Sequence, residues 1–189
     1  MSAKSSPEHT AKQQPFVISR LVDAPRELVW RMYTEAEHLK NWFGPKGFAM
    51  PTCSLDLRPG GIFHYCMRSA DGIEMWGKWT FREIVAPERL VVIVSFSDAN
   101  AGITRHPMSA DWPLETLGVT TFTEQAGKTL LTVEWSPYNS TQSERDTFNN
   151  SHASMEQGWG GTFVQLTEYL ARTTRANSAV GAAFRPFMP

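Results

Sequence analysis

Between Ala49 and Trp135 the chain is a succession of short β-rich runs broken by turn signals: Gly60-Gly61, Asp71-Gly72, Pro87-Glu88, a long loop near residues 98–113, and Gly127. Alternation within these runs sorts the side chains. Phe63, Tyr65 and Met67 fall on one face and His64, Cys66 and Arg68 on the other; Met75, Trp79 and Phe81 oppose Trp76, Lys78 and Arg82. In "LLTVEW", Leu131, Val133 and Trp135 repeat the division, and Phe96 adds a further aromatic residue to the inner set. An antiparallel meander with one strongly aromatic face has to bury that face against another element. With "FVISRLV" at Phe16–Val22 the sequence predicts about seven strands.

Only one segment has the periodicity to cover such a sheet. At 100° per residue Phe148, His152, Met155, Trp159, Phe163, Leu166 and Leu170 lie within an arc of about 80°, the stripe of one long helix. That helix contains Gly158, Gly160 and Gly161 around Trp159, and each glycine in an exposed helix interior costs about 1 kcal/mol relative to alanine. Either the sheet rises against these glycines or they keep space beside Trp159 for a bound molecule. Two short helices are expected earlier. One lies within "DAPRELVWRMYT", with Pro25 at its first position; the other follows Thr34, whose spacing to Glu37 suits a capping box, and Gly44-Pro45 stops it. Residues 1–14 read as a disordered tail, 15–174 as one domain, and 175–189, where periodicity fades, as a flexible tail.

Composition narrows the function classes. Lys and Arg total 18 against 19 Asp and Glu, with no block of like charge, so neither nucleic acid nor an anionic membrane is an expected partner. The polar start lacks a signal peptide's apolar run and no stretch has the roughly 18 apolar residues of a span; the expected compartment is the cytoplasm. Cys53 and Cys66 fit reduced, buried residues, with a cross-strand disulfide as the alternative.

Motif searches give little chemistry. "GIEMWGKW" matches a phosphate-loop spacing but has Trp79 where Ser or Thr belongs, and it reads as strand; "GWGG" has Phe163 where a dinucleotide motif needs its third glycine. No cofactor is expected. The five histidines show no ligand spacing, so no metal is expected either. His152 lies in the apolar stripe, where it serves either as a ligand contact or acid/base group, or as a helix-end histidine bonded to a polar neighbour. Tyr65 brings a hydroxyl to the inner face that needs a partner.

The order of elements, together with "APRELVW", "WFGP", "DLRPGG", Asp71-Gly72, "PERLV" and Gly158-Trp159 followed by "YL", resembles the helix-grip (Bet v 1-like) fold of the START-like (SRPBCC) superfamily. Within it the chain is most similar to the branch related to the C-terminal domain of the Hsp90 ATPase activator Aha1. The resemblance spans Phe16 to about Leu170. It implies an α+β domain whose curved antiparallel sheet grips the C-terminal helix around a cavity used for lipids, polyketides and other apolar molecules. It carries over no catalytic residue. The expected function is therefore binding of an apolar or aromatic small molecule by Phe63, Tyr65, Met75, Trp79, Phe96, His152, Met155 and Trp159. Two alternatives stand behind it: an enzyme resembling polyketide cyclases and dehydratases, and a co-chaperone acting on Hsp90, ranked last because the activator's separate N-terminal domain has no room in 189 residues. A homodimer through an exposed strand or helix is a further arrangement open to a domain of this size.

Overall fold

The computed structural model describes residues 14–183, with side chains through Arg175. All but the last residue of the expected tail 1–14 lies outside the described residues. The elements run β1 (Phe16–Val22), α1 (Arg26–Thr34), α2 (Ala36–Trp42), β2 (Ala49–Leu55), β3 (Ile62–Arg68), β4 (Glu74–Val85), β5 (Arg89–Ser97), β6 (Ile103–Thr104), β7 (Glu115–Gln125), β8 (Lys128–Tyr138), α3 (Gln142–Asn150) and α4 (His152–Ala183). One antiparallel sheet has the order β1-β8-β7-β5-β4-β3-β2, and β6 pairs with β5 off this path. The expected helix-grip α+β fold is therefore present, with the two-residue β6 as an eighth strand inside the long loop.

Three local expectations need correction. Phe148 is not on the long helix: Ser151, at φ −96° and ψ 1°, separates α3 from α4, so there are three short helices. Thr34 caps nothing. It is still inside α1, where its hydroxyl donates to the Trp30 carbonyl at 2.8 Å, and the chain turns at Glu35 instead, without a side-chain cap. The capping box forms at Thr141 and Glu144, each accepting from the other's backbone N–H. Finally, α4 continues through Ala183, past Thr174, and residues 184–189 lie outside the description.

Register explains how the aromatic face is assembled. Phe63 pairs with Trp79, Tyr65 with Gly77 and Met67 with Met75 across β3 and β4, so these side chains share the concave face. Phe63 and Phe81 are fully buried there. The opposite face of β3 is also covered, because the turn after β5 folds over it: His64 Nε2 lies 3.0 Å from the Asp98 carbonyl and Lys78 Nζ donates to the Ala101 carbonyl at 2.8 Å. Cys53 pairs with Tyr65 and Thr52 with Cys66, which puts the two thiols on opposite faces, and both are free.

Burial holds α4 in the grip. Trp159, Phe163, Leu166 and Leu170 are buried, each worth about 1.5–3 kcal/mol on removal from water. Polar ties fix its height against α2: Thr162 Oγ1 donates to the Gly44 carbonyl at 3.4 Å, Gln165 Nε2 reaches the same carbonyl, and the Tyr169 hydroxyl meets His38 Nδ1 at 2.9 Å.

Candidate functional site

Between the concave face and α4 lies a cavity of about 510 Å³, within the roughly 300–1,000 Å³ typical of small-molecule sites. Its floor depends on two strand glycines. A Cβ on Gly77 would sit 2.4 Å from the Tyr65 ring and hydroxyl, and one on Gly118 would sit 3.1 Å from Trp135 Nε1. Both rings therefore lie flat over a neighbouring strand instead of standing into the space above it. From α4, Ser154, Met155, Gly158, Trp159 and Thr162 line the opposite wall, the set expected from one helical face at i, i+1, i+4, i+5 and i+8. A Cβ on Gly158 would meet nothing within 4 Å. The sheet thus does not rise against this glycine; the space beside Trp159 is open.

A third wall comes from the loop between β5 and β7, which contributes His106, Met108, Trp112 and Pro113. His106 packs edge-on against Phe96 at 4.5 Å between ring centres. The loop is latched to α3: Arg105 Nη1 donates to the Trp112 carbonyl at 3.3 Å and pairs with the Glu144 carboxylate, whose other oxygen accepts from the Thr141 backbone N–H at 2.8 Å. The Arg105 guanidinium, then the Thr141 N–H, hold the Glu144 carboxyl below its usual range. A lowered carboxyl pKa stabilises the fold fully above the unfolded-state value and loses that contribution as pH falls through the folded-state value. Glu144→Gln is expected to cost about 1–2 kcal/mol at pH 7, with the gap to the parent closing as the pH is taken below the ordinary carboxylate range. Denaturant titrations across pH check this; a gap independent of pH would contradict the latch.

Of the residues expected at the site, Tyr65, Met75, Phe96, Met155 and Trp159 line the cavity. Phe63, Trp79 and His152 do not. Phe63 is stacked beneath Tyr65 at 4.7 Å with no exposed surface. Trp79 is 4% exposed, and its indole nitrogen is buried without a hydrogen-bond partner. His152 opens α4 wedged edge-on between Phe16 and Phe148, and its Nε2 is likewise buried and unpartnered, so it neither reaches the cavity nor bonds a polar neighbour. The sequence reading missed Phe43, Gly44 and Pro45 after α2; it leaves open whether the loop at 98–113 covers the cavity mouth or links two strands, and names none of its residues for the site. Both groups lie where no periodicity signals a face.

Electrostatically the cavity is quiet. Among the described residues lining it, none carries a carboxylate, ammonium or guanidinium. Burial pushes the Tyr65 hydroxyl well above the usual phenol range, with the Trp79 indole N–H acting against the rise, and burial lowers His106. Both are neutral at pH 7. Elsewhere, Glu35, Glu37 and His38 converge within 4.8 Å, but Arg31 Nε already holds Glu35 at 2.8 Å and Tyr169 holds His38, so the group ties helices together. No helix among the described residues is long and apolar enough to cross a membrane.

Comparison with known proteins agrees with this architecture. Residues 23–171 match the family model described as activator of Hsp90 ATPase homolog 1-like protein. A Nitrosomonas europaea protein of known structure is 27% identical over 87% of this chain and 98% of its own, with a TM-score of 0.68. An AHSA1 protein from Silicibacter pomeroyi, 15% identical over 85% of this chain and 99% of its own, superposes with a TM-score of 0.66, and a Mycobacterium smegmatis protein, 24% identical over 84% and 92%, with 0.67. No curated protein matches the chain.

Proposed function

Because the chain belongs to the activator of Hsp90 ATPase homolog 1-like family, a START-like branch, we propose that it is a binding protein for an apolar or aromatic small molecule held between sheet and C-terminal helix. One observation carries this reading: the row of α4 that lines the cavity has open space at Gly158, on the cavity's exposed edge, although filling that space with a side chain would also have strengthened the helix. Affinity comes chiefly from buried apolar area at about 25 cal/mol per Å². A cyclase-like reaction needs groups that move protons in the cavity, and the described lining supplies Tyr65 and His106 without a carboxylate. The co-chaperone reading rests on the family name alone.

The test is a blocked cavity. Gly158→Leu places an isobutyl group among Met155, Trp159 and Thr162 with no backbone in the way. Native mass spectrometry of the freshly purified parent is expected to show a discrete extra mass that disappears on denaturation. In the Leu variant that mass is expected to be gone while the melting temperature is unchanged or raised. Retention of the adduct by a folded Leu variant would place the molecule elsewhere and end the proposal.

A further inference from the structure

The chemistry of the walls says more about the occupant, on the premise that the cavity is a ligand site. Val94 is the only branched aliphatic residue among the described residues lining it. The remaining apolar surface comes from aromatic residues, Trp112, Trp135 and Trp159 among them, and from the thioethers of Met67, Met75, Met108 and Met155. Trp135 and Trp159 meet edge to face at 5.5 Å, and both line the cavity. Rings and thioethers offer a flat π system contacts that a flexible acyl chain does not exploit, since quadrupole and sulfur–aromatic interactions add to simple area burial.

The hydroxyls of Ser95, Thr116, Ser154 and Thr162 can both donate and accept, and His106 and Tyr65 add donors to the lining. The Met108 backbone N–H donates to His106 Nδ1 at 3.0 Å, which occupies that nitrogen's lone pair and leaves the proton of the neutral ring on Nε2. No residue among those described accepts from Nε2. The Tyr65 hydroxyl likewise has no acceptor among the described residues, and the Trp79 indole N–H is close enough to act on the phenol oxygen, although beyond hydrogen-bond length. His106 and Tyr65 both line an uncharged, aromatic space, and donors there form a complement to a carbonyl rather than to an ammonium or a carboxylate, because no opposite charge is present to offset an ion's desolvation. We infer that the cavity selects an uncharged, flat aromatic molecule bearing an acceptor oxygen, such as an aryl ketone or quinone, whose oxygen is received by His106 Nε2–H and Tyr65 O–H.

Equilibrium dialysis with three probes tests this: 9-fluorenone, its acceptor-free counterpart fluorene, and laurate as an acyl chain. Fluorenone is expected to bind about two- to tenfold more tightly than fluorene, the worth of one or two neutral hydrogen bonds, and laurate more weakly than either. His106→Phe and Tyr65→Phe are each expected to narrow the ratio of fluorenone affinity to fluorene affinity toward one. The Tyr65 variant removes a single oxygen and guards against a misfolded loop in the other. Equal affinities for fluorenone and fluorene, both abolished by Gly158→Leu, would overturn the acceptor inference and leave the binding-protein reading standing. Tighter binding of laurate, also abolished by Gly158→Leu, would do the same for the aromatic preference. Probes that bind the Leu variant as well as the parent, or that bind neither, would overturn both.

Discussion

Trp159→Ala is expected to lower the unfolding free energy by about 3–5 kcal/mol, the range for a buried large aromatic residue, read as a fall in the urea midpoint at unchanged slope. Trp159 is 8% exposed and joins three groups at one point. Its ring lies 5.5 Å from Trp135 on the sheet, 6.5 Å from Phe43 after α2 and 5.6 Å from Phe163 one turn along α4. Truncation removes all of these contacts and merges the void with the cavity. Water can enter a space that already opens outward, which places the expectation toward the lower end of the range. A loss below about 1 kcal/mol would mean that the ring does not hold the helix against the sheet.

The second large effect is expected at Gly77. Alanine there brings a methyl group to 2.4 Å from the Tyr65 ring, far inside contact distance, and the backbone of β4 is fixed by pairing on both sides. The ring has to leave, and the space open to it is the cavity. Gly77→Ala should therefore cost about 1–3 kcal/mol, as overpacking does, and should also reduce probe binding by placing Tyr65 in the ligand's volume. Gly118→Ala, where the nearest atoms are at 3.1 Å, should be milder. The decisive measurement is a double-mutant cycle: Tyr65→Ala should cost much less in the Gly77→Ala background than in the parent. Additive losses would show that the two residues do not compete for one space.

Much of this architecture was legible because two periods recur in the chain. The alternation of Phe63, Tyr65 and Met67 and of Leu131, Val133 and Trp135 assigns the concave face, and the placing of Trp159 on the apolar stripe of α4 assigns the wall opposite it. The same wheel misled at Phe148 and His152. A break at Ser151 preserves the angular position of the residues before it, so periodicity alone cannot register the break; the Thr141 to Glu144 capping signal marks where α3 starts. Thr34 has the same spacing to an acidic residue, but the preceding turn of α1 claims its hydroxyl. Loop residues were the other blind spot. His106 and Trp112 reach the cavity through the latch between Arg105 and Glu144, a contact across 39 positions that no local pattern encodes. Phe63 and Trp79 share the inward face but lie one layer too deep, because Tyr65 folds down over its neighbouring strand.

The glycines of α4 have one more consequence, and it concerns time. A Cβ on Gly158, Gly160 or Gly161 would touch nothing within 4 Å, so this turn is held laterally by Trp159 and lacks the intrinsic helix preference of the turns around Phe163 and Leu166. With three glycines it opens at less cost than an alanine-bearing turn would, and it borders the cavity. A guest held by the rings would then have its residence set by how often this turn yields, with exchange rate and affinity governed by different residues: the aromatic walls decide how tightly a molecule is kept, and three missing methyl groups decide how soon it is released.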